Sequence, residues 1–105
     1  MNTATKRIVT RPDFDGIVCA VLLRDAENIH TDIFWVEPND IQADRVEIKP
    51  GDILANLPYS PVCDLWFDHH ISNRPEGDFN GAFEVAPSAA RVIYQYYQDK
   101  GILDD

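Results

Sequence analysis

Leu65-Trp66-Phe67-Asp68-His69-His70 is the stretch on which the fold turns. Three large apolar residues stand in a row, then a carboxylate and two imidazoles, before the chain turns through Ile71-Ser72-Asn73-Arg74-Pro75. A strand with one wet face alternates apolar and polar residues. An unbroken apolar run is the pattern of a strand covered on both faces, as in a parallel sheet. Open parallel sheets take their ligands in the crevice beyond the carboxyl ends of the strands. Asp68, His69 and His70 are therefore expected at the mouth of a sheet.

Upstream, Lys6 to Thr10 reads as a first strand ended by Arg11-Pro12, since proline interrupts a ladder. Asp13-Phe14-Asp15-Gly16 leads into a helix over Ile17 to Arg24, apolar almost all round, which predicts deep burial against a sheet. Asp32 to Val36 is a second strand. Asn39 is set to cap a helical turn over Asp40 to Asp44, and Val46-Glu47-Ile48 alternates like a short edge strand. Asp52 to Asn56 and Cys63 to Phe67 are the third and fourth strands, and Gly77 to Gly81 is a loop. Ser88 caps a last helix whose apolar stripe is Ala89, Val92, Ile93, Tyr96 and Tyr97, with Gly101 as its C-terminal stop. The order of elements predicts one α/β domain over residues 1–105, a mainly parallel sheet flanked by helices. In that arrangement Asp13, Asp15, Asn56 and Asp68 to His70 all lie just past strand ends.

The chain has 105 residues, 45% of them hydrophobic, enough for one domain with a core. Its formal net charge is −9. Non-specific nucleic-acid binding needs a basic face, so strong binding of that kind is excluded. A phosphate ligand needs local cations, and clustered carboxylates are the usual ligands of divalent ones. Cys19 and Cys63 form no close pair and read as small buried hydrophobes in a reducing compartment. Met1 to Thr5 lacks a signal-type apolar segment, and no apolar run approaches the ~20 residues of a membrane span. The expectation is a cytoplasmic protein with no membrane partner.

Asp13 and Asp15, two residues apart in a tight loop, can both face one cation, and Gly16 permits close backbone approach and an unusual φ. A helix N-terminus also favours carboxylates and anionic ligands. The same pair opens the haloacid-dehalogenase superfamily, but Ile17 stands where that superfamily has a threonine. Adjacent histidines point in divergent directions, so one imidazole can hold a metal while the other meets substrate. Asp68 is expected to orient the ligating one and fix its tautomer.

Ile8-Val9-Thr10-Arg11-Pro12-Asp13-Phe14-Asp15-Gly16, followed by Phe67-Asp68-His69-His70 and Pro87-Ser88-Ala89-Ala90-Arg91, resembles the DHH phosphoesterase superfamily from Ile8 to Tyr97. The resemblance implies manganese- or magnesium-dependent hydrolysis of a phosphoester or phosphoanhydride. Members are exonucleases, oligoribonucleases, cyclic-dinucleotide phosphodiesterases, pyrophosphatases and exopolyphosphatases. Two cations ~3.5–4 Å apart would clamp the phosphoryl oxygens. The implied metal ligands are Asp13, Asp15 and His69. His70 would contact phosphate and, with Asp68, serve catalysis; Arg74 and Arg11 would be further phosphate contacts. The implied partner is a small phosphorylated substrate or short oligonucleotide. Position 11 carries Arg where the family has a ligand and Asn56 stands where it has a bridging Asp; residues 1–105 are expected to fall short of the family's fourth motif and C-terminal substrate domain. These departures keep open a degenerate, non-catalytic module that binds a metal or phosphate. A receiver-type signalling domain is a third class, disfavoured by Asn56 and by the lack of a matching lysine. An incomplete sheet would expose apolar surface, for which a homodimer through the tyrosine-bearing last helix is expected.

Overall fold

The structure, a computed structural model, describes residues 6–43, 45–70, 73, 75 and 77–103. Five strands form one parallel sheet: β1 (Arg7–Thr10), β2 (Phe34–Trp35), β3 (Asp52–Ala55), β4 (Leu65–Asp68) and β5 (Gly81–Phe83). Three helices accompany it: α1 (Phe14–Ala26), α2 (Pro38–Gln42) and α3 (Ala89–Asp99). The strand order is β2-β1-β3-β4-β5. The chain first steps outward from β1 to β2, then returns to lay β3 on β1's other side. Order therefore reverses between β1 and β3, and such a switch point opens a crevice at the carboxyl ends of those strands.

The central strands are covered on both faces. Ile8, Ile53, Ala55 and Phe67 face α1 and α3, and pack with Cys19, Leu23, Val92, Ile93 and Tyr97. Val9, Leu54 and Trp66 face the opposite side. There Val36, Leu57, Tyr59, Phe79 and Phe83 cover them from loops and strand ends. Right-handed crossovers explain the division, because reversing the direction of travel moves the connections to the other face. Trp66 is wholly buried, stacks on Phe83 and donates its indole N–H to the Leu57 carbonyl at 2.8 Å.

The α/β, parallel-sheet expectation holds, with local corrections. Residues 46–48 form no strand; Val46 and Ile48 pack on the second cluster without pairing. β5 occupies residues expected in part as loop. Gly81 is required there, since a Cβ would lie 1.9 Å from the Trp66 carbonyl oxygen and φ is +123°. The N-cap of α2 is Glu37 rather than Asn39, its amide donating to Asp40 Oδ2 at 3.2 Å. Ser88 caps α3 by accepting from the Arg91 amide, and Gly101 follows that helix with φ +75°. The largest correction concerns α1. Only one face is buried, and Phe14, Ile17 and Val21 are exposed; Ile17 and Val21 lie toward β2, the edge strand, beyond which the described residues add no further strand. The tyrosines of α3 turn inward: Tyr97 is buried and Tyr96 packs edge-on to Phe67. Among the described residues, exposed large apolar side chains include Phe14, Ile17 and Val21 on α1 and none on α3, the helix expected to dimerise. No helix among the described residues is long and apolar enough to cross a membrane.

Candidate active site

The loop after β1 begins with a tight turn at Pro12, closed by the Asp13 amide donating to the Arg11 carbonyl at 2.9 Å. Asp13 is the N-cap of α1, its Oδ1 accepting from the Gly16 amide at 2.7 Å. Gly16 has no room for a side chain, because a Cβ would sit 1.8 Å from the Arg11 carbonyl oxygen. The close approach anticipated for this glycine is present. The unusual φ is not, since Gly16 is helical.

Asn56 follows β3 in the left-handed region, φ +62°, a conformation Asn tolerates better than most residues. Its side-chain amide donates to Asp13 Oδ1 at 3.3 Å across the β1/β3 switch point. It is 3% exposed, and its Oδ1 is buried with no hydrogen-bond partner among the described residues.

Asp15 reaches the other way, toward α3. Its Oδ2 accepts from the Ala89 amide at 2.9 Å and its Oδ1 from the Ala90 amide at 3.0 Å. One carboxylate thus satisfies two of the orphan donors at a helix start more than 70 residues away in sequence. Cys19, one turn along α1, points its thiol at Asp15 Oδ1. Burial, and then the Asp15 charge, push that thiol well above its ordinary pKa, so it stays protonated.

The two histidines extend from β4. His69 Nδ1 lies 2.9 Å from the Ala86 carbonyl, and His70 Nδ1 lies 2.7 Å from Asp68 Oδ1. A carbonyl or carboxylate can only accept, so each Nδ1 carries a hydrogen, and each Nε2 is left free of that bond. Asp68 is fully buried and its Oδ2 accepts from Asn73 at 2.8 Å. It therefore orients His70, while backbone orients His69, the reverse of the expected partnership. The rings do not diverge either; their centroids are 4.2 Å apart. Beyond the end of β4 the pleat no longer forces neighbours onto opposite faces.

Asp15 Oδ2 lies 3.6 Å from His69 Nε2. The early loop and the later imidazoles therefore share one end of the sheet. Asp68, His69 and His70 also present ligand-type atoms within 4.8 Å of one another. Arg11 Nε is 3.4 Å from Asp13 Oδ2 and 3.9 Å from Glu37 Oε1, so a fixed positive charge leans on the outer oxygen of Asp13. Arg74 lies outside the described residues. Sequence reasoning missed the Ala86 carbonyl, the Ala89 and Ala90 amides and Asn73. Three of these are backbone groups that no side chain marks. The Ser88 cap signalled where α3 starts but not that the start docks on Asp15.

No family model and no curated protein matches this sequence. Among solved structures, the chain is similar to the pGpG-specific phosphodiesterase PggH from Vibrio cholerae. Identity is 44% over 94% of this chain, with a TM-score of 0.77. The match spans 32% of that protein, so this chain corresponds to about a third of the length of the structure it resembles.

Proposed function

We propose that this chain is a DHH-type phosphoesterase domain that hydrolyses a phosphodiester in a short oligonucleotide. The observation that carries the reading is the meeting of Asp15 and His69, with Nε2 facing a carboxylate oxygen 3.6 Å away. A carboxylate oxygen and an imidazole nitrogen so placed suit a shared proton or a divalent cation. The Oδ1 of Asn56, without a hydrogen-bond partner among the described residues, is a further acceptor. Oxygen and imidazole donors of this kind suit a hard or borderline divalent cation, manganese or magnesium in this reading. Asp13, Asp15 and His69 would hold it, with Asn56 as a weaker neutral ligand.

When bound, the cation supplies Lewis-acid charge at the phosphoryl oxygens and lowers the pKa of the attacking water. The chain's own residues do the rest. His70 Nε2, its ring fixed by Asp68, faces the phosphoryl group and, when protonated, donates a charge-assisted hydrogen bond to it. Asp68 has no exposed surface and both of its oxygens are engaged, so it acts as a positioning residue. Arg11, and Arg74 beyond the histidines, are the cations assigned to the phosphate. The similar phosphodiesterase is pGpG-specific, which makes a guanine dinucleotide the first substrate to try.

A second reading, a non-catalytic binder of the same fold, draws on one contact. Arg11 beside Asp13 already supplies a positive charge where a metal would otherwise bind. Incubation with pGpG and manganese, followed by chromatography for mononucleotide, separates the two. Release of GMP that chelation abolishes supports the hydrolase. Manganese binding by calorimetry without any GMP release supports the binder.

A further inference from the structure

A groove of about 600 Å³ lies away from the histidines. It runs along the outer side of α1, with Ile17, Val21, Ile33 and Trp35 among its walls. β2 explains why Trp35 is there. Its neighbours Phe34 and Val36 pack into the cluster on the far face of the sheet, so the pleat turns Trp35 to the α1 side. Trp35 pairs in register with Thr10 at the carboxyl end of β1, one residue before Arg11. Ile17 lies one turn after Phe14, and Phe14 stands between Asp13 and Asp15. Phe14 is 82% exposed and belongs to neither apolar cluster; Trp35 is 45% exposed. Phe14 thus stands largely in water within the acid loop, and Trp35, about half exposed, ends β2 beside the strand that leads into that loop.

We propose that Phe14 and Trp35 are the nucleobase-stacking rim of the site. The inference rests on the phosphodiesterase reading and names what that site recognises besides phosphate. The argument is electrostatic as well as geometric. A chain of net charge −9 gains little affinity from phosphates, and Arg11, the cation placed at this rim, already faces Asp13 and Glu37. Bases are uncharged and every one has a π face, so aromatic stacking supplies affinity without added positive charge. Phe14 is flanked in sequence by the two acids, which puts its exposed ring next to the loop that would hold the phosphoryl group.

Tryptophan fluorescence tests this directly. The protein has two tryptophans; Trp66 is wholly buried and serves as a constant background, whereas Trp35 reports the rim. Titration with GMP and with pGpG is expected to quench Trp35, and ribose 5-phosphate, which lacks a base, is not. Phe14→Ala is expected to weaken nucleotide binding roughly tenfold, and Phe14→Tyr to restore it. Equal nucleotide affinity in Phe14→Ala and wild type, or quenching as strong with ribose 5-phosphate, would overturn the proposal. So would sedimentation showing a dimer in which iodide cannot reach Trp35, since the rim would then be an interface between copies. Manganese calorimetry on the same samples keeps the two readings apart: retained metal binding with no base dependence defeats the rim alone, and absence of metal binding defeats the phosphodiesterase site.

Discussion

Asp15 serves two neighbours, the start of α3 and His69, and a conservative change separates them. Asp15→Asn keeps one acceptor oxygen but sets an amide NH₂ against a backbone N–H. Its expected cost is about 1.5–3 kcal/mol in urea unfolding, the range for hydrogen bonds to a charged group. Manganese affinity, read by calorimetry, should fall at least about tenfold, since losing even a ligand's outer support has effects of that size. His69→Ala should show a similar fall in affinity with a smaller stability loss, because it removes one neutral bond to Ala86. Asn56→Asp makes a sharper prediction. Aspartate tolerates φ +62°, so the backbone has no objection. Without metal, a second carboxylate beside Asp13 should lower the melting temperature. With manganese the same charge should strengthen binding, so the metal-induced rise in melting temperature should exceed that of wild type. The acids and imidazoles were legible in the sequence, because Asp13, Asp15 and His69-His70 form a pattern at strand ends. Their orientation was not. The Ala86 carbonyl and the amides of α3 belong to every residue alike, and only the fold selects them.

At the scale of elements, two glycines hold the architecture to the site. Gly16 lets α1 start against the Arg11 carbonyl, and Gly81 lets β5 pair against β4. Gly81→Ala meets the Trp66 carbonyl oxygen at 1.9 Å in a conformation that L residues rarely adopt. It is expected to cost about 1–3 kcal/mol. Hydrogen exchange locates the loss: the Trp66 amide, bonded to the Asn80 carbonyl, should lose protection while the Ala55 region of β3 keeps its own. Gly16→Ala should lower stability by a similar amount and also weaken manganese binding, since it displaces the loop that carries both acids. Four strands and both long helices could be read from apolar runs, caps and proline breaks. Gly81-Ala82-Phe83 could not, because three residues are too few to show a period and a glycine opens them. α1 misled for the opposite reason. Its apolar residues run all round, and sequence alone cannot say that one side of the helix overhangs the β2 edge.

Across the whole molecule, one cluster at the amino ends of the strands ties three elements together. Lys6, just before β1, bonds Glu27 at 2.7 Å, and Glu27 at the end of α1 accepts from the Tyr97 hydroxyl of α3 at 2.5 Å. Burial, then the Glu27 hydrogen bond, push the Tyr97 phenol well above its ordinary value of 10.0. Burial alone would raise Glu27, but hydrogen bonds from Lys6 and Tyr97 outweigh it and leave the carboxyl below its ordinary 4.5. The signs follow from linkage. Glu27 is lowered in the fold, so its contribution is present above about pH 4.5 and is lost as pH falls through its folded value. Tyr97 is raised, so its contribution is present below pH 10 and is lost as pH rises toward its folded value. Cys63, raised mainly by burial from 9.0 to about 11, begins the alkaline loss a unit earlier. Urea unfolding at half-unit steps is therefore expected to show a plateau through neutrality and a decline above pH 9 that steepens above pH 10. Each such group contributes at most about 1.4 kcal/mol per pH unit within its window. Tyr97→Phe should be less stable than wild type at pH 7, by the value of one hydrogen bond to a carboxylate, and the gap should close as pH climbs past 10. A gap that stays constant through pH 11 would mean that the Tyr97 hydroxyl titrates normally and that the tie between α1 and α3 rests on packing alone.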